Sequence, residues 1–426
     1  MKTICLTFRI HQPYRLKRYR FSEIGNDHYY YDDFFNEDVI RNMAQRCYLP
    51  ANRLLMEMIR NSGKRFKVAF DISGVILEQF EIYAPEVIDS LKELAATGNV
   101  EFLGSTFSHS LSSLFNEEEF AIQVKAHAYK INTLFNVEPR VFCNTGLIYS
   151  EEIAPAIANL GFDGVLTEGA ASALGWKSPD YLYKSSSTPA LKLLFRHAGL
   201  SEDIAVRFNN YDWSEYPLTA GKYTSWIARI PEQEQLINLR MNYETIGGIY
   251  KEDTGIFDFF RTLPEQAAQR GIGFSTPSEI IKLLKPVDSI SVATPISSEG
   301  NKDLSSWLNN ALQQEAFNKI GELGKKITSP SARRLIQDWF YLQSADHLYY
   351  MGDQFIGKYG SYPYETPFAA FGNYMNVLSD FAARINAQFP SDEENEEQNP
   401  LLATIRRQEK EIDELEKELK KYQKNK

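Results

Sequence analysis

The 426-residue chain is poor in cysteine and histidine. Its three cysteines, Cys5, Cys47 and Cys143, are odd in number and widely spaced, which excludes a disulfide framework or zinc ribbon and suits a reducing, cytoplasmic location. Six histidines without metal-ligand spacing, and no glycine-rich phosphate loop, offer no motif for a metal or organic cofactor, so none is expected. There is no run of about 18 apolar residues, which excludes a membrane-spanning helix. The opening Met1-Lys2-Thr3-Ile4-Cys5-Leu6-Thr7-Phe8 also lacks the basic region and apolar stretch of a secretion signal. Positive charge is in deficit: 46 Lys and Arg against 56 Asp and Glu leave −10, which argues against a nucleic-acid surface.

What is present builds a large core. A hydrophobic fraction of 43% over this length suffices for one big domain with appendages. Short apolar runs recur at residues 4–8, 67–72, 100–103, 140–143, 164–166, 191–195 and 236–241, with helix-like stretches between them, so an α/β fold with a parallel sheet is expected. The helical pattern is clearest at 85–96, where Val87, Ile88, Leu91 and Leu94 share a stripe, and at 152–160, which stops at Gly161. About seven such units suit a closed or nearly closed barrel better than an open sheet.

The character changes after Pro286. Residues 287–300 are rich in Ser, Pro and small side chains, as in a linker or long loop. Residues 309–323, 331–350 and 368–389 then show helical periodicity, with Trp339, Phe340, Tyr341, Tyr349 and Tyr350 read as the core of a small bundle. Residues 391–400 hold five acids and no base, a solvated spacer. Beyond them Leu401, Ile405, Ile412, Leu415, Leu419 and Tyr422 follow a heptad broken only by Gln408, which predicts a short coiled coil able to form a homo-oligomer, or else a lone charged helix. The expected division is 1–290, 301–390 and 391–426.

In a fold of this kind, strand ends deliver functional groups to one face. His11-Gln12-Pro13 follows the first apolar run, Asp71-Ile72-Ser73-Gly74 the second, and Gly104-Ser105-Thr106-Phe107-Ser108-His109-Ser110 the third, while Asn144-Thr145-Gly146 and Asn242-Tyr243-Glu244 end two later ones. Their order resembles glycoside hydrolase family 57, in its α-amylase and α-amylase-like branch. His11-Gln12-Pro13 resembles that family's first motif and Gly104 through Leu111 its second. Asn144-Thr145-Gly146-Leu147-Ile148-Tyr149 resembles the third, N-T-E-L-I-Y, whose Glu is the nucleophile. Met241-Asn242-Tyr243-Glu244-Thr245-Ile246-Gly247-Gly248-Ile249 resembles the fourth, M-D-Y-E-T-F-G-E-H, whose Asp is the acid/base, and Thr276-Pro277-Ser278-Glu279 the fifth. Likeness extends through 200–208 and 342–351. It implies an incomplete (β/α)7 TIM-like barrel followed by an α-helical bundle, and a retaining mechanism on α-linked glucans.

The departures bear on function. Retaining hydrolysis needs two carboxyl groups roughly 5–5.5 Å apart, one to attack and one to protonate the leaving oxygen. Gly146 has no side chain to attack with, and the Asn242 carboxamide has no proton to release near neutral pH. Gly248 and Ile249 replace the Glu and His that close the fourth motif. Glu244 and Asp203 are the candidate surrogate carboxyls.

Sugar binding needs no nucleophile: His11, Gln12, His109 and Asn144 are candidate hydroxyl partners, and Tyr14, Trp213 and Trp226 candidate stacking platforms. The expectation is therefore an α-amylase-like protein of carbohydrate metabolism that binds α-1,4-glucan or maltooligosaccharide and is catalytically impaired or inactive. The alternatives are an active α-glucan hydrolase or transferase with relocated carboxylates, and a structural partner of an active enzyme that binds no sugar.

Overall fold

In the computed structural model, which describes residues 1–327, 333–352 and 363–388, every apolar run picked out above is a strand. The ten strands are β1 (Thr3–Ile10), β2 (Val68–Ile72), β3 (Val100–Phe102), β4 (Val141–Cys143), β5 (Gly164–Glu168), β6 (Leu182–Ser185), β7 (Lys192–Arg196), β8 (Leu236–Asn242), β9 (Gly273–Phe274) and β10 (Ser289–Ile290). The two-residue β9 and β10 carry too few residues to show periodicity, and β6 (LYKS) mixes polar and apolar residues without a continuous apolar run. One sheet runs β3-β2-β1-β8, with β9 also on β1, and the other β10-β6-β7-β5-β4. Every pairing is parallel except β6 with β7.

Backbone bonds join the sheets at both margins. Gly104 N–H donates to Val141 O at 2.9 Å and Cys143 N–H to Gly104 O at 2.7 Å; on the other side His197 N–H donates to Asn238 O at 2.7 Å.

Side-chain alternation explains the layering. Along β1, Ile4, Leu6, Phe8 and Ile10 pack with residues of the helices, among them Leu55, Phe80 and Phe260. Cys5 points the other way and meets Ala69, Leu103, Cys143, Leu166, Leu194 and Leu236, one or more residues from each long strand. Each fully buried Leu, Ile or Phe contributes about 1.5–3 kcal/mol, so this double burial holds β1 in place.

Nearer the strands' carboxyl ends the same interior face turns polar. Arg240 pairs with Asp71 at 2.9 Å and Arg196 with Glu168 at 3.0 Å, and all four side chains are buried. The helix expected at 85–96 is Pro85–Ala96, and that expected at 152–160 is Ala154–Asn159, with Gly161 at φ +90°.

The C-terminal helices are Ser305–Leu308, Ala311–Lys326, Arg333–Leu342, Ala345–Tyr349 and Pro367–Gln388. Their apolar faces share a core with Tyr14, Leu16, Tyr19, Tyr30 and Tyr31, from the loop after β1. Trp339, Tyr341 and Tyr350 are buried in it, as core residues rather than a ligand platform. The continuous helix expected over 331–350 is instead interrupted at Ser344. The loop after β3 breaks it: Ser110 bridges Ser344, and Ala345 N–H donates to His109 O at 3.0 Å. The spacer and coiled-coil tail expected over 391–426 lie outside the described residues.

His347 follows that break. It is buried, stacks on Tyr374 at 4.9 Å and has Nε2 3.3 Å from Tyr341 O. Burial pushes its pKa down to about 4. The unfolded chain, with an imidazole pKa of about 6.5, takes up a proton that the folded chain refuses, so stability is intact above that pH and lost as pH falls toward 4. Between pH 7 and 4.5 this residue should remove roughly 2–3 kcal/mol. Urea unfolding at both pH values should show that loss in the native chain and a smaller one in His347→Gln.

Candidate functional site

The strand ends gather one group of side chains past β1, β3 and β8. His11 places Nδ1 2.7 Å from Ser73 Oγ and Nε2 2.7 Å from Asp346 Oδ2. His109 stacks on it with 4.3 Å between ring centroids. His109 Nδ1 lies 3.4 Å from Arg9 Nη2 and 3.6 Å from Asp346 Oδ2. A guanidinium only donates and an ionised carboxylate only accepts, so the tautomer decides which of these two contacts Nδ1 makes, with the opposite role left to Nε2. That nitrogen is buried and has no partner among the described residues.

Burial, with Arg9 and His11 adding to it, drives the His109 pKa well below its ordinary value. Burial works to raise the Asp346 pKa, but His11 and His109 outweigh it and hold the carboxyl well below the usual range.

Glu244, just past β8, is half-buried and accepts from Tyr48 Oη at 2.7 Å; Gln12 Nε2 stands 3.5 Å away. Burial pushes the Glu244 pKa up against the pull of the Tyr48 hydroxyl. Asn242 is exposed and lies in register with Arg9 across the β1–β8 pairing.

Sequence reasoning named His11, Gln12, His109, Asn242 and Glu244 but not Asp346, Arg9 or Tyr48. Asp346 reaches the site only because the loop after β3 breaks the C-terminal helix, and nothing local in the sequence reports that.

His11, His109 and Asp346 also bring three donor atoms within 4.8 Å of one another, a set that linear spacing concealed. Arg9, however, sets a positive charge 3.4 Å from His109 Nδ1, which opposes a metal ion there. The site is better fitted to a ligand that accepts hydrogen bonds than to a cation.

A second group surrounds Gly146. Asn144 is buried and fully engaged: its Nδ2 donates to Ser113 Oγ at 3.0 Å and Ile148 O at 3.1 Å, and its Oδ1 accepts from Thr145 N–H at 3.0 Å. It shapes the turn rather than facing a ligand. Gly146 has φ +54° and is followed by Leu147 at +59°. A Cβ on Gly146 would overlap Cη2 of Trp307 and stand 3.0 Å from Cζ2. The segment read as a linker or long loop is a loop strapped over these strand ends. Ser298 donates to Gly146 O from N–H at 2.7 Å and from Oγ at 3.0 Å, and Lys302 Nζ reaches Glu168 at 3.2 Å and Glu202 at 3.0 Å.

The remaining candidates lie apart from both groups. Tyr14 is buried and stacks on Tyr341 at 4.0 Å, as part of the core. Trp213 and Trp226 meet edge to face at 6.1 Å and pack on the helix-side core, with Arg207 and Lys222 over their rings. Asp203, on helix Ala198–Ala205, pairs with Arg207 at 2.7 Å. A cavity of about 700 Å³ between helices Glu117–Phe135 and Ala154–Asn159 is lined by Lys125, Tyr129 and Arg140, and includes none of the strand-end groups above.

The family model described as glycosyl hydrolase family 57 matches residues 5–293, which contain both groups except for Asp346 and the strap. The chain belongs to this family. It is 38% identical over 398 residues to the "Putative alpha-amylase" of Methanocaldococcus jannaschii, covering 89% of this chain and 84% of that protein. Its fold is similar to that of the family 57-type branching enzyme of Pyrococcus horikoshii, with TM-score 0.66 at 13% identity over 91% of each chain. It is also similar to the 4-alpha-glucanotransferase of Thermococcus litoralis, with TM-score 0.55 at 17% identity; 76% of this chain is covered, and it spans 45% of the length of that enzyme.

In this family 57 chain the volume beside Gly146 is filled by an indole that is itself buried. Gly146→Ala places a side chain on left-handed backbone and against that ring. It should cost about 2–4 kcal/mol, from strain and overpacking together, as a lower denaturant midpoint with unchanged slope would show.

Proposed function

We propose that this family 57 chain binds α-1,4-glucan at the ends of its strands without hydrolysing it, the strands forming the incomplete (β/α)7 barrel that the family resemblance implies. The observation that carries the reading is Trp307 packed on Gly146, at the position where the third motif would hold a nucleophile. With Asn242 at the acid/base position, attack and leaving-group protonation both lack their groups, and losing both costs many orders of magnitude in rate.

Binding does not need those groups. Gln12, Asn242, Glu244 and Asp346 supply donors and acceptors for hydroxyls around His11 and His109. The activities named for the relatives, an amylase, a branching enzyme and a glucanotransferase, support α-glucan as the ligand class. Among the candidate surrogates Asp203 is committed to Arg207, which leaves Glu244, with Tyr48 as its donor, as the carboxyl a residual activity would use. Self-association through residues 401–422 remains part of the proposal.

The test follows reducing ends and binding heat together on maltooligosaccharides. The native chain should bind without releasing new reducing ends. Gly146→Glu with Asn242→Asp should stay inactive, because Trp307 leaves the new carboxylate no room, and adding Trp307→Ala should yield turnover. Turnover by the native chain that disappears in Glu244→Gln overturns the proposal.

A further inference from the structure

The interior cations of this chain are mostly matched by carboxylates. Arg240 has Asp71, Arg196 has Glu168, and Arg384 has Asp338 at 2.8 Å. Two half- to fully buried guanidinium groups at the candidate site form no ion pair among the described residues. Arg9 has only the 3.4 Å contact to His109 Nδ1, and its Nε has no partner. Arg15 donates to Gln12 Oε1 at 2.6 Å and to Pro13 O at 3.5 Å, and lies 5.3 Å from the Phe35 ring centroid.

Position explains why Arg9 matters. It is the last inward-facing residue of β1, on the same face as Cys5, in register with Asn242 on one neighbour and Asp71 on the other. Asp71 is spent on Arg240, and Asn242 carries no charge. The carboxylate that would neutralise Arg9 on the β8 side is thus missing, in a chain where leaving a buried charge unpaired is costly. The nearby acids do not make up the deficit: Asp346 is engaged by His11, and Glu244 by Tyr48, with its ionisation opposed by burial. His109 adds a buried Nε2 without a partner among the described residues. Guanidinium donors and positive charge in excess of their partners mark a site for an anion, and a guanidinium binds carboxylate or phosphate through two parallel bonds.

We propose that Arg9 makes this an anion-selective carbohydrate site, one that takes an α-glucoside or glucose unit bearing a carboxylate or phosphate group in preference to the neutral sugar. The anion stands beside Arg9 and Asn242, and the sugar hydroxyls meet Gln12, Glu244 and Asp346. This rests on the sugar-binding reading above and specifies its ligand.

Calorimetric titration of the full chain separates the two claims. The probes are glucose and maltose, glucose 1-phosphate, glucose 6-phosphate, glucuronate and maltobionate, and inorganic phosphate alone. At least one charged sugar should bind tenfold or more tightly than its neutral counterpart, with phosphate arms against carboxylate arms showing which anion is preferred, and the advantage should shrink with added salt. Arg9→Gln should abolish that advantage and Arg9→Lys restore part of it. Asn242→Asp, at an exposed position that should not disturb folding, should abolish it by supplying Arg9 with a carboxylate.

Equal affinity for neutral and charged sugars overturns the inference and leaves glucan binding standing. A preference that survives in both Arg9→Gln and Asn242→Asp also overturns it. Inorganic phosphate binding as tightly as the sugar phosphates removes the carbohydrate part, and no binding of any sugar overturns this inference and the reading beneath it.

Discussion

The register of β1 is the constraint on which the site depends. This strand pairs in parallel with β2 and β8 and, at its foot, with β9. Its even-numbered residues from Ile4 to Ile10 lock into the helix-side core, so the odd-numbered ones have no choice of face. Arg9 is thereby aimed between Asp71 and Asn242, and His11 emerges where Ser73 and Asp346 can hold its two nitrogens. A slip of one residue would bury Arg9 among Phe70, Tyr243 and Phe260 and expel Phe8, a change no compensation nearby could absorb.

The C-terminal helices finish the site in two opposed ways. Through Asp346 they orient His11 and hold a carboxylate in place; through Trp307 they occupy the space above Gly146. The strap between β10 and Trp307 is anchored by the same logic as the interior ion pairs, because Lys302 reaches the buried Glu168 that Arg196 also neutralises. A buried carboxylate with two cations is well compensated, and breaking either pair would leave charge stranded in a low-dielectric region. That ties the closure over Gly146 to the interior electrostatics of β5 and β7.

The proposed binding without hydrolysis draws on different strands for its two halves. Attack would come from the end of β4, which is covered. The imidazole pair, Gln12, Asn242 and Glu244 come from the ends of β1, β3 and β8 and their following loops. In the proposed reading, a family 57 scaffold would give up transition-state stabilisation, which needs two opposed carboxyls, and keep ground-state contacts, which need only hydrogen-bonding groups.

Local pattern was enough to place the long strands, because period-two burial and flanking turn residues are short-range signals, and enough to put His11, His109, Gly146, Asn242 and Glu244 at strand ends. The same signals did not report that Asn144 is engaged in a turn, that Tyr14 stacks on Tyr341 in the core, or that Trp213 and Trp226 pack on the helix side. Residue type alone does not say which way a side chain points once a loop has folded. Residues 331–350 read as one helix since propensity and periodicity favour it throughout; Ser110 and His109, more than 200 positions earlier, break it. The sequence by itself determined that Gly146 and Asn242 stand where the family motifs this chain resembles carry carboxylates, for that is a matter of which residues the chain contains. Only the tertiary structure decided that Trp307 fills the space beside Gly146, that Asp346 joins the histidine pair, and that Arg9 forms no ion pair among the described residues, because each is a relation between segments far apart in the chain whose distance is set by packing.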